Sequence, residues 1–258
     1  VKFSDYSWFK MFYNETGIKN PMFIPHSIAS VLFSYYNDRN AQKGWDDKNM
    51  YEFFIPSLRF PLSYCHFVHG HLYDSNWKEH GIDTASIDNL ADSLYKNISN
   101  NCFIIKKTID SSFGQGVKRY SFKKPSDIAD VISLSINFFW GGDFIIQECV
   151  EQHGFLKQFN STSVNIFRII TFRHSNSIKY VSCSIRFGTE GYYTDVAFID
   201  GREIVNVVGV DSNGLIKDKQ FGVYGEVNFE KYNQISEKQI PCFNELINMA
   251  MEGHKHLP

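Results

Sequence analysis

Phe103–Val117 reads FIIKKTIDSSFGQGV. Its first half, extended back to Cys102, is apolar and β-branched and ends in Lys106 and Lys107. That is the pattern of a strand leaving a core at a charged edge. Its second half, Asp110 to Gly116, is a loop of small, hydroxyl and glycine residues. Successive strand side chains point to opposite faces, so one lysine enters a cleft while the other meets solvent. The loop lacks the G-x-x-x-x-G-K-[ST] and G-x-G-x-x-G spacings, and a strand, Val117 to Phe122, follows it instead of a helix. Gly114 and Gly116 still let backbone N–H groups close over an anion. An ammonium at a strand end beside such a loop suits a phosphate as a point charge. Two lysines leaving a sheet edge beside a plain hairpin loop would explain the same residues without a ligand.

Two further segments extend the pattern. Asp143–His153, DFIIQECVEQH, is an apolar strand that turns polar at Gln147, Glu148, Glu151, Gln152 and His153. A strand leaving a core at a cleft offers main-chain groups to a base and a side-chain acceptor to a ribose. Ser163–Phe172, SVNIFRIITF, carries Arg168 between Phe167 and Ile169 in a run expected to be largely buried. A buried arginine needs an anion, either a structural carboxylate or a phosphate.

Around these segments the periodicity predicts helices over Asp5–Thr16, His26–Tyr36 and Asp46–Phe54, the last capped by Asp46 or Asp47. Ser63–Val68 and His71–Tyr73 read as a hairpin. Asp83–Ile98 is an amphipathic helix with Ile87, Leu90, Leu94 and Tyr95 on one face. Ser126 is expected to cap a helix that runs to about Phe139 and stops at Gly141-Gly142. Ser163–His174 and Ile178–Phe187 form a hairpin turning at Asn176-Ser177. Tyr192–Ala197 and Glu203–Val210 continue that sheet, and Phe243–His256 is the closing helix. This order is an α+β plan.

The order Lys106, Asp110–Gly116, Gln147–His153 and Asn165-x-x-Arg168 with Thr171 resembles the ATP-grasp superfamily. More narrowly it resembles the sugar-transfer-associated and teichuronopeptide-type ATP-grasp proteins of bacterial surface polysaccharide clusters. Asp46–Tyr51 with Arg59-Phe60-Pro61, and Arg186-Phe187-Gly188 leading to Asp195, fit the same group. The resemblance implies two lobes, each a mainly antiparallel sheet with helices, around a nucleotide cleft. It divides the chain into a helical region 1–60, a small lobe 61–146 with the glycine loop, and a large lobe 147–258. It implies an ATP- and Mg2+-dependent carboxylate–amine ligase working through an acyl phosphate on small-molecule or glycan-linked substrates. By the same resemblance Lys106 holds the α and β phosphates, and Lys48 is a second phosphate contact. Ser112, Gly114 and Gly116 cover the β and γ phosphates. Gln147, Glu148, Cys149 and Val150 face adenine, Glu151 or His153 the ribose. Arg168 stabilises the transferring phosphoryl group with Asn165 beside it. The family's magnesium ligands, an acidic residue and an E-x-N motif, belong to strands after the last helix. Asp195, Asp200 and Asp211 have no E-x-N context, so the metal ligands are unassigned and the expectation is that those strands lie beyond Pro258.

Composition narrows the function classes. A formal charge of −2 gives no electrostatic case for nucleic acid. No apolar run approaches the roughly 18 residues that span a bilayer. Five widely spaced cysteines suit a reducing, cytoplasmic setting. Three alternatives stay open: a kinase on the same fold, a nucleotide-binding protein without catalysis, and a zinc hydrolase using Cys65, His66, His69 and His71.

Overall fold

Cys102–Lys107 forms a strand, and its alternation organises the first half of the fold. The chain is seen in a computed structural model, which describes residues 6–20, 24–37, 45–109, 111, 114, 116–138, 142–223, 225–227 and 237–257. It divides into two compact units, 1–46 and 47–258. The first holds helices α1 (Tyr6–Thr16) and α2 (His26–Tyr36). Everything below concerns the second.

That unit begins with a connecting strap, residues 47–62, which includes one helical turn, α3 (Tyr51–Phe54). The predicted helix over Asp46–Phe54 is thus mostly a turn. Asp47 Oδ1 accepts from the N–H of Asn49, two residues on, and this local bond competes with helix. Then come β1 (Ser63–Val68), β2 (His71–Asp74), β3 (Glu79–His80), α4 (Thr84–Asn97), β4 (Cys102–Lys107), β5 (Lys118–Ser121), α5 (Pro125–Phe138) and β6 (Phe144–Glu148). The strands form one six-stranded sheet in the order β3-β2-β1-β6-β4-β5, all pairs antiparallel. Asp83 caps α4 by accepting from the N–H of Ser86. Ser126 does not cap α5. Proline opens that helix, and Asp127 accepts from the N–H groups of Lys123 and Lys124.

One face of this sheet is buried under both helices. Phe103, Ile105, Phe144, Ile146, Cys65 and Phe67 pack there against Ile87, Leu90 and Leu94 of α4 and Ile128 and Ile132 of α5. Tyr95, predicted on the same α4 face, is instead 37% exposed and donates to the carbonyl of Lys123. The opposite face carries the alternate residues: Cys102, Ile104, Lys106 and Thr108 beside Ile145 and Gln147, with His66 further across.

After a short helix, α6 (Gly154–Lys157), which sequence periodicity misses, come β7 (Ile166–His174), β8 (Ser177–Phe187), β9 (Ala197–Ile199), β10 (Arg202–Ile204), β11 (Asn206–Val210), β12 (Ile216–Gly222), β13 (Gly225–Val227) and α7 (Phe243–His254). A second antiparallel sheet has the order β13-β12-β11-β8-β7, and β9–β10 is a separate hairpin. The β7–β8 turn is Ser175-Asn176, one residue earlier than predicted, because His174 pairs with Ser177. The predicted strand over Tyr192–Ala197 is irregular up to Ala197. Helix α7 covers one face of the second sheet through Phe243 and Ile247, which meet Cys183, Ile185, Phe187 and Val208. The other face is open, and this corrects the expected burial of Arg168. Phe167 and Ile169 turn toward the core, so Arg168 is exposed on the open face.

Candidate active site

Strand β4 sets the site because its outward residues form a row. Cys102 and Ile104 line a cavity of about 350 Å3 between the first sheet and the segments that follow β6 and β8. Lys106 is the next residue of that row, about 7 Å further along the strand. The remaining walls are Arg119 of β5, the segment Cys149–Gln152 after β6, Lys157, Ser161–Val164 and Tyr193. Cys149, Val150 and Glu151 therefore line the cavity. Glu151 Oε1 lies 3.1 Å from Lys157 Nζ.

Other predicted contacts are committed elsewhere. Gln147 is buried on the open face and donates to the carbonyl of Pro61 and to Ser63 Oγ, with its Oε1 unpartnered. Glu148 Oε1 accepts from the N–H of Leu62. His153 caps α6, its Nδ1 accepting from the N–H of Phe155. Asn165 is buried and knits the loop below the cavity. Its Nδ2 donates to Gln152 Oε1, Leu156 O and Asn160 O, and its Oδ1 accepts from the N–H of Gly188. Gly188 is held so close that an added Cβ would overlap Ser163 Oγ.

At the far end of β4 the Lys48 charge acts on Lys106. Lys48 Nζ donates to Thr108 O at 3.0 Å and to Ser111 Oγ at 2.8 Å. Burial, and secondarily the charge on Lys48, lowers the Lys106 pKa from 10.5 to about 8. Like charges at a desolvated strand end favour an anion between them. The glycine loop starts here. Ser112 lies outside the described residues. Gly114 has φ +71° and Gly116 φ +76°, conformations that glycine adopts without strain. A Cβ on Gly114 would come within 2.8 Å of Thr194 Oγ1, so Gly114 lies against the irregular segment before β9.

Next to that contact, the Arg119 guanidinium lies 5.6 Å from the ring centre of Tyr193, and its Nη2 donates to Cys102 Sγ at 3.6 Å. Cys149 Sγ belongs to the same group. Burial, followed by the neighbouring Cys102, raises its pKa to about 11. Asp195 pairs with Arg186 at 3.4 Å. Arg186 shares the open face of the second sheet with Arg168: Arg168 pairs with Ser184, two residues before Arg186 on β8. Arg119 and Tyr193 escape sequence reading, since a strand edge and an irregular segment carry no pattern that separates a wall residue from a solvated one.

The zinc reading is overturned. Cys65 faces the helix-covered core, and His66 stacks on Trp77 from the opposite face. His71 Nδ1 lies 2.7 Å from Glu79. Among the described residues no three His, Cys, Asp or Glu side chains converge on a metal position.

Residues 27–258 match the family described as sugar-transfer associated ATP-grasp. The chain belongs to that family. Its two antiparallel sheets, helix-covered on their outer sides, are this family's ATP-grasp fold. No curated protein matches the chain. Among solved structures, D-alanyl-alanine synthetase A from Vibrio cholerae O1 biovar eltor str. N16961 is similar over 58% of this chain, at 12% identity and a TM-score of 0.37. The ATP-grasp chain described here spans 36% of that protein's length. No helix among its described residues is long and apolar enough to cross a membrane.

Proposed function

We propose that this ATP-grasp protein is an ATP-dependent ligase that joins a carboxylate to an amine in bacterial surface polysaccharide biosynthesis or modification. The observation that carries the nucleotide reading is the desolvated Lys106, its pKa lowered to about 8, with the Lys48 charge acting on it and Gly114 lying against Thr194. The family description, sugar-transfer associated, supports the polysaccharide setting. The proposed division is a helical region 1–60, a small lobe 61–146 and a large lobe 147–258. All five cysteines are free thiols, which supports a cytoplasmic setting.

In this reading the base occupies the cavity beside Cys149–Glu151, and the phosphates run along β4 to Lys106 and Lys48. Gly114 and Gly116 bring backbone N–H groups over the terminal phosphates. Arg168, exposed on the facing sheet, supplies charge to the γ-phosphoryl group. A substrate carboxylate oxygen attacks that phosphorus and ADP leaves. The amine then attacks the acyl carbon, and phosphate leaves as the amide forms. Asn165 keeps Gly188 and the Gln152–Ser163 loop in place below the cavity. ATP-grasp proteins generally work with Mg2+, but the described residues do not form its ligand set: Asp195 already pairs with Arg186.

Two measurements test the reading. ATP with magnesium should raise the melting temperature of the wild type by mass action but not that of Lys106→Ala. Equal shifts in the two proteins would remove the site. Product analysis with labelled ATP and candidate acceptors then separates chemistries: ADP, phosphate and an amide for a ligase, ADP and a phosphoester for a kinase.

A further inference from the structure

Three buried polar side chains stand in a row on the open face of the first sheet: His66 of β1, Asn49 of the strap and Thr108 at the end of β4. His66 Nδ1 lies 2.9 Å from Asn49 Oδ1, and Asn49 Nδ2 donates to Thr108 Oγ1 at 3.3 Å. An amide oxygen can only accept, so His66 Nδ1 carries the hydrogen. The imidazole stacks on Trp77, ring centres 4.3 Å apart. Burial lowers its pKa, which keeps the ring neutral at pH 7. A phenyl ring would pack on Trp77 equally well and bring no polar group into the sheet. What it would lack is a donor for Asn49.

That donor matters because of the residue beside Asn49. The Lys48 N–H donates to Thr108 O at 3.3 Å, and Lys48 Nζ reaches the same carbonyl and Ser111 Oγ. Thr108 is thus held twice by the strap, at its hydroxyl by Asn49 and at its carbonyl by Lys48. We propose that His66 is a positioning residue of the nucleotide site: it holds Asn49, and through Asn49 sets the strap so that Lys48 reaches the mouth of the glycine loop. The inference rests on the reading of Lys48 as a phosphate contact.

The test is the ATP dissociation constant with magnesium, by isothermal titration well below each melting temperature. The proteins are wild type, Lys48→Ala, His66→Phe, His66→Asn and the Lys48→Ala/His66→Phe double variant. Leaving Asn49 Oδ1 buried without a donor should weaken ATP binding in His66→Phe roughly tenfold. His66→Asn should recover most of the loss, because its Nδ2 falls near the lost Nδ1. The double variant should bind no worse than Lys48→Ala, since both changes remove one contact. Wild-type affinity in His66→Phe alongside weakened Lys48→Ala overturns the inference and leaves the phosphate reading standing. So do losses that multiply in the double variant. Wild-type affinity in Lys48→Ala overturns the phosphate reading and the inference with it. Should His66→Phe not fold, His66→Asn against His66→Gln decides, since Gln places its amide near Nε2. Equal affinity in that pair overturns the proposal.

Discussion

Lys106 shows how a single residue carries opposing demands. Its folded-state pKa, about 8, sits below the ordinary lysine value of 10.5 because burial and Lys48 both disfavour its charge. Between those two values the unfolded chain binds more protons than the folded one, so stability without nucleotide should rise with pH across that window. Nucleotide reverses the preference, since phosphate favours the ammonium. ATP affinity should therefore be flat below pH 7.5 and fall as pH climbs past about 8. Titration calorimetry from pH 6.5 to 9.5 checks this; affinity independent of pH over that range would mean that Lys106 does not face the phosphates. Lys106→Met should melt higher than wild type at pH 7 without ATP and lose the ATP-induced shift, a trade of binding for stability. Gly114 makes a second residue-scale case. Alanine there would take a strained positive φ and press on Thr194. Gly114→Ala should keep its circular dichroism spectrum, melt slightly lower and bind ATP at least several-fold more weakly, at a cost of about 1 kcal/mol or more.

At the scale of elements, each sheet has one face under helices; the other face is largely buried in the first sheet and exposes Arg168 in the second. Helix α7 is tied to the second sheet at its C-terminus by Arg173 of β7. Its Nη2 donates to His254 O and Leu257 O at 2.7 Å and to Lys255 O at 3.4 Å. A cation placed on the last carbonyls of a helix offsets their partial negative charge. Arg173→Ala should lower stability by about 1 kcal/mol, as read by urea denaturation, and leave the ATP dissociation constant unchanged. A changed ATP constant would mean that α7 acts on the site. Elements were also what the sequence made legible. β4, β6, β7 and β8 announced themselves through β-branched runs, and α4 through its Asp83 cap and apolar stripe. Short structures were lost to local chemistry: Asp47 turns the chain where a helix was expected, and α6 has only four residues, too few to show a period. The site was legible where it is local in sequence, in Lys106, the glycine loop and Cys149–Glu151. Arg168 was expected inside because its neighbours are apolar. A sequence cannot tell a two-faced sheet from a one-faced one until α7 is seen to cover only the Phe167 and Ile169 side. Asn165 and Gln147 were polar residues in strand context that a cleft could have used, yet the fold spends them on its own backbone.

Across the second unit, two sets of contacts among the described residues run from the first sheet to the segments around the second. The strap joins them on one side: Glu52 accepts from Ser63 Oγ, Phe53 packs on Trp77, and Leu58 and Ile55 come against Gly253 of α7. On the other side the segment Tyr193-Thr194 receives both Arg119 and Gly114. In the proposed reading the nucleotide lies beside this second contact, so the contact should act on the dissociation rate more than on association. A guanidinium over a tyrosine ring contributes about 0.5–2 kcal/mol depending on its desolvation. Arg119→Ala and Tyr193→Ala should each raise the ATP dissociation rate about three- to tenfold in stopped-flow with a fluorescent ATP analogue, with association nearly unchanged. Arg119 also bonds Cys102 Sγ in the cavity wall, so its removal has a second route to the base. The double variant separates the two. If the clasp of Arg119 on Tyr193 is what slows release, Arg119→Ala/Tyr193→Ala releases no faster than the faster-releasing single variant. If instead Arg119 acts only through the wall, Tyr193→Ala releases as wild type, which would remove the clasp.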